Sequence, residues 1–143
     1  MSAIKIKQLV YISQATAAFT PASLKELTDL ANANNASLKV TGCMAYSSGY
    51  FLQLLEGKAE TVDSLYQKIE KDTRHRGTQV LLEATADEDK RLFGKWFMSS
   101  INVDATVDFP EELRLSIKEI INDRKAVIPV HRLFTEFGKY LGR

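Results

Sequence analysis

The sequence predicts an α+β domain. Short segments of alternating apolar residues punctuate its first hundred positions, and two stripes of helical period fall between them. Two more helical stripes close the chain after Pro110.

Residues 4–13 read as a strand, with Ile4, Ile6, Val10 and Ile12 on one face and Leu9, Tyr11 and Ser13 on the other. Thr20 can cap a helix that Pro21 opens, and Leu24, Leu27, Leu30 and Ala31 form its expected buried stripe. This helix is expected to fray within 32–35, because Asn competes for its own backbone. Residues 40–46 and 50–56 are strands joined by the hairpin loop Ser47-Ser48-Gly49, and Gly57 closes the second. Val62, Leu65, Tyr66 and Ile69 give a second amphipathic helix, expected to end near His75 and Gly77. Residues 79–84 and 96–103 supply two further strands.

The order β-α-β-β-α-β-β is that of a ferredoxin-like sheet with one extra strand. It is expected to set the first and third strands side by side and parallel at the centre, with two helices on one face. The C-terminal stripes, Leu113, Ile117, Ile120 and Ile121, then Leu133, Phe134, Phe137 and Leu141 beyond Pro129, belong to two helices on the other face.

Composition narrows the function. At 143 residues, 45% hydrophobic and 26% charged, the chain is one globular domain. A net charge of +1 offers no field for nucleic acid or anionic membrane. The lone Cys43 excludes an internal disulfide, and neither a signal peptide nor a membrane span is legible, so a cytoplasmic protein is expected. Cys43, His75 and His131 lack metal-ligand spacing, and no glycine-rich phosphate cradle is present.

Two polar residues stand out. Tyr11 and Gln53 sit mid-strand in segments expected to be buried, where an unpartnered phenol or amide is costly. They either satisfy each other as a polar core pair or orient a ligand. Asn34 and Asn35 at the end of the first helix, with Lys68, Asp72, Arg74 and His75 along and after the second, would ring one cleft. Each of these alone also reads as a helix end or a solvated face.

Taken together the segments resemble the BLUF family of flavin-based blue-light sensors. The resemblance rests on Leu9-Val10-Tyr11-Ile12-Ser13, Asn34-Asn35, Thr41-Gly42, Phe51-Leu52-Gln53-Leu54-Leu55-Glu56-Gly57, Asp72-Thr73-Arg74-His75, and the stretch from Phe93 to Met98. It implies a noncovalent flavin, FAD or FMN, with its ring between the two helices. It implies Tyr11 as electron and proton donor and Gln53 as the switch whose hydrogen bonds rearrange in light, shifting flavin absorption to the red. Asn35, with Asn34 close by, would take the polar edge of the ring. Lys68, Asp72, Arg74, His75 and Ser13 would complete the binding site, Lys68 standing where the family commonly has Arg. Trp96 and Met98 match the last-strand pair that accompanies the switch, with Phe97 where a small residue is usual.

On this reading residues 1–105 are the sensor domain. Residues 106–143 are a helical extension for output or oligomerisation within the same compact unit. The chain is expected not to be an enzyme. With Arg143 as its last residue, output is expected to pass through the C-terminal helices to a protein partner or another copy. The competing readings are an acylphosphatase-like hydrolase, disfavoured because residues 13–18 lack a glycine for a phosphate loop, and a ligand-free dimerisation module.

Overall fold

A computed structural model of the protein describes residues 4–93, 98–122 and 130–140. Five strands, β1 (Lys5–Ala15), β2 (Thr41–Ser47), β3 (Tyr50–Gly57), β4 (His75–Asp87) and β5 (Ser99–Asn102), form one sheet in the order β4-β1-β3-β2-β5. Helix α1 (Pro21–Leu38) links β1 to β2 and α2 (Ala59–Glu70) links β3 to β4, while α3 (Glu111–Asn122) and α4 (Val130–Tyr140) follow the sheet. The ferredoxin-like α+β architecture is as expected. Trp96, Phe97, Pro129 and Leu141, and the side chain of Phe137, lie outside the described residues.

Alternation along the strands divides the core in two. Val10, Ile12, Cys43, Ala45, Leu52 and Leu54 face one way and pack with Ile117 and Ile120 of α3 and Leu133 and Phe134 of α4. Leu9, Tyr11, Met44, Phe51 and Leu55 face the other way, toward Leu24 of α1 and Val62 and Leu65 of α2. The four helices therefore cover the two faces in pairs.

One expectation about the sheet is corrected. β1 and β3 are neighbours, but antiparallel, with Lys7 opposite Gly57 and Gln14 opposite Tyr50. Each tight hairpin reverses the chain, and β2 and β3 are joined by one, Ser48 and Gly49 both having positive φ, 51° and 81°. β3 thus slots between β1 and β2, while β5 pairs with β2 in parallel. The close packing needs Gly42, where a Cβ would collide with the Leu54 carbonyl oxygen of the neighbouring strand.

Helix boundaries moved too. α1 does not fray at its asparagines but runs on to Leu38, because Asn35 is turned into the core at 2% exposure. Its end is closed by Lys39 in the left-handed region, φ 57°, and by the Val40 N–H donating to the Asn35 carbonyl at 3.0 Å. α2 stops at Glu70, and β4 takes in His75 because the edge strand follows β1 as far as Ala15. β5 takes in Ser99–Asn102, while Met98 and Val103, expected within it, fall outside the strand, and residues 96 and 97 of that expectation lie outside the described residues. The α1 stripe is not buried as a whole. Leu24 is buried and Leu27 and Ala31 half-buried, whereas Leu30 is 58% exposed.

Candidate functional site

That exposed end of the α1 stripe borders a cleft of about 290 Å³ between α1 and α2, floored by β1 and β3. Its walls are apolar: Leu27, Leu30 and Ala31 on one side, Leu65 and Ile69 on the other. Apolar walls around a concave cleft are the usual mark of a ligand's place.

The floor carries the polar groups. Tyr11 and Gln53 are directly opposite on β1 and β3, so both side chains rise on the same face. The Tyr11 hydroxyl donates to Gln53 Oε1, and Gln53 Nε2 points to Met98 Sδ at 3.5 Å. Tyr11 is 3% exposed and Gln53 5%. Burial pushes the Tyr11 phenol well above its ordinary range, so it stays protonated and keeps its role as donor. The Tyr11 ring packs against Tyr66, centroids 5.3 Å apart.

At the rim, Asn35 is buried at the end of α1 and the exposed Asn34 sits beside it, both lining the cleft. Opposite them lie Asp72, Arg74 and His75. Arg74 grips Asp72 through Nε, at 2.9 Å from Oδ1, and through Nη2, and this pairing is the largest cause holding the Asp72 carboxyl below its ordinary value. His75 is fixed at both ring nitrogens, Nε2 on the Ile69 carbonyl and Nδ1 on Ser13 Oγ at 2.7 Å. Ser13, fully buried, thus acts behind His75 and is not among the lining groups.

Of the residues singled out from the sequence, Tyr11, Gln53, Asn34, Asn35, Asp72, Arg74 and His75 converge on the cleft. Lys68 stands exposed on α2 and does not line it. Met98 is 4% exposed and reaches the site through Gln53, whereas Trp96 lies outside the described residues. Sequence reasoning missed Phe19 and Met44, which also line the cleft. The signal for Met44 was there: it shares a face with Tyr46 and pairs directly with Gln53.

Fold and cleft define a small α+β module whose cleft suits a largely apolar ligand with a polar edge. Comparison with known proteins agrees. Residues 6–99 match the model of the BLUF family, sensors of blue-light using FAD. Photoactivated adenylate cyclase subunit beta of Euglena longa is 33% identical over 110 residues, which are 76% of this chain and 13% of that subunit. Among solved structures, a bacterial light-regulated adenylyl cyclase superposes with a TM-score of 0.71 at 29% identity, covering 92% of this chain and 36% of that one. BlrB, a BLUF protein in its dark state, superposes with a TM-score of 0.75 at 22% identity, over 95% of this chain and 97% of that one, and so shares the fold. The chain belongs to the BLUF family: it is a blue-light sensor module, and its cofactor is a noncovalently bound flavin.

The residues present fit that cofactor. Leucine and alanine walls suit the faces of an isoalloxazine ring, and the amides of Asn35 and Gln53, which line the cleft, each carry both donor and acceptor groups. Among the described residues, neither the cysteine nor the cleft histidine is placed for a covalent link. Cys43 faces the opposite side of the sheet, where burial pushes its thiol up to about 12, and both His75 nitrogens are engaged.

Proposed function

We propose that Tyr11 and Gln53 are the switch of this sensor, Tyr11 as electron and proton donor and Gln53 as the group that changes state. The observation that carries this is the Tyr11–Gln53–Met98 line of contacts on the cleft floor. Bound flavin supplies the blue-light absorption and, once excited, the pull on an electron. Tyr11 answers with a phenol already hydrogen-bonded to Gln53 Oε1, so the proton released on oxidation has an acceptor in place. When electron and proton return, the Gln53 amide can settle turned over, Nε2 toward Tyr11 and Oε1 toward Met98, since an amide carries donor and acceptor at similar reach. One hydrogen bond made or lost is worth about 1 kcal/mol, enough to bias a bistable neighbour.

Asn35, with Asn34, would hold the ring's polar edge, and Asp72, Arg74 and His75, backed by Ser13, the opposite rim. Lys68 would serve only in an extended side-chain pose. Trp96 and Met98 stand as the pair that carries the change onward.

Residues 1–105 form the sensor and residues 106–143 the output extension on this reading, which makes the chain a cytoplasmic photoreceptor and not itself an enzyme. It signals by contact with a protein partner and with further copies of itself, not with nucleic acid or membrane. The outward-facing Leu115 of α3, 55% exposed, supports a contact between copies. Tyr11→Phe tests the switch. Flavin should be retained and the light-induced red shift lost; a variant with a normal shift excludes Tyr11 as donor.

A further inference from the structure

A fully buried carboxylate lies on the face of β3 turned away from the cleft. Glu56 is 0% exposed, three residues beyond Gln53 on the same strand. Its cross-strand partners are Gln8 on β1 and Thr41 on β2. Its oxygens accept from Gln8 Nε2 at 2.8 Å, from the Leu92 N–H at 2.6 Å and from the Phe93 N–H at 2.8 Å. Arg91 closes the same network, its Nη1 donating to the Glu56 main-chain carbonyl at 3.1 Å and to Thr41 Oγ1 at 3.0 Å.

A charge in a core is costly unless its lone pairs are filled, and breaking one partner leaves that cost exposed. Two successive backbone amides on one carboxylate therefore form a stiff joint between β3 and the segment at Leu92 and Phe93. Phe93, 0% exposed, then sets its ring edge-on against Phe134 of α4, with centroids 6.3 Å apart and planes at 86°. A continuous packed line thus runs from the strand of Gln53 to a C-terminal helix.

We propose that Glu56 is the positioning residue through which a displacement of β3 at Gln53 reaches α4, by way of Phe93 and Phe134. This rests on Gln53 being the switch. A carboxylate is needed because each oxygen takes a backbone N–H; an amide offers one acceptor and puts its own NH2 against the other donor.

The test is hydrogen–deuterium exchange on the flavin-loaded full chain, dark and lit, for wild type, Glu56→Gln and Phe93→Leu, with the flavin spectrum recorded alongside. Wild type should show a light-minus-dark difference within α4. Both variants should keep the red shift and lose that difference. Phe93→Leu decides the matter if Glu56→Gln does not fold, since it keeps the Glu56 carboxylate and the Phe93 N–H that meets it and changes the buried ring that meets Phe134. A folded variant that melts earlier yet keeps the wild-type α4 difference overturns the proposal. So does a wild type whose spectrum shifts while α4 stays unchanged. A wild type with no red shift overturns the Gln53 switch as well, which keeps the two failures apart.

Discussion

Tyr11 and Gln53 face each other across β1 and β3 as directly paired residues, and the phenol donates to the amide oxygen on the cleft floor. The register makes the contact a property of the sheet, so neither side chain needs a loop to find the other. Gln53→Leu removes the acceptor and the turning amide while roughly keeping volume. Flavin should stay bound, since the apolar walls are intact, and the red-shifted state should vanish from the light-minus-dark spectrum.

Met98 is expected to tune the proposed switch. Its thioether is the acceptor that Gln53 Nε2 faces, at 3.5 Å, in the arrangement with Oε1 on Tyr11. Met98→Leu conserves volume and should cost under about 1.5 kcal/mol in stability. It withdraws one weak acceptor from the resting arrangement, on the order of 1 kcal/mol, so dark recovery should slow by up to roughly fivefold. Single-exponential recovery traces measure this, and unchanged or faster recovery counts against it.

Acid and alkali should act at different residues. Asp72 is held below its ordinary value of 3.8, first by its hydrogen bond from Arg74. Its contribution is therefore complete above that value and is lost as the pH falls through the lower folded one. Asp72→Asn should flatten the melting temperature between about pH 5 and pH 2. Tyr11 is shifted upward by burial, so the unfolded chain releases a proton above the ordinary value of 10.0 that the folded state retains. Stability should fall as the pH rises past that point, and Tyr11→Phe should remove that part of the fall.

The C-terminal helices separate core from surface. Phe134 is 0% exposed and Ile120 3%, both packed beneath the sheet. Phe134→Ala should cost about 3–5 kcal/mol in urea denaturation. Leu115→Asp, on the outer face, should change stability by less than about 0.5 kcal/mol. If copies meet there, light scattering will show a smaller particle for Leu115→Asp than for wild type.

Much of this was legible in the sequence, and the misses have physical causes. The parity of Leu9, Tyr11 and Ser13 against Val10 and Ile12 divides the core correctly, because alternation is forced by the strand itself. Strand direction is not written in alternation; it follows from which connections are hairpins and which are crossovers, and there β1 and β3 were misjudged. Asparagine's weak helix propensity pointed to fraying at 32–35, but burial of Asn35 overrode it. Glu56 was read only as part of a motif. A glutamate closing a run of buried leucines was the available signal, yet its partners Leu92 and Phe93 come from a segment that no periodicity brings to β3.

The central claim is that this chain senses blue light through a flavin held between α1 and α2 above Tyr11 and Gln53. The most direct measurement is the absorption spectrum of the purified wild-type protein, supplied with FAD or FMN, before, during and after blue illumination. A yellow protein whose flavin band shifts to the red in light and returns in the dark is the expected result. A protein that takes up neither flavin, or one whose bound flavin spectrum does not move, contradicts it.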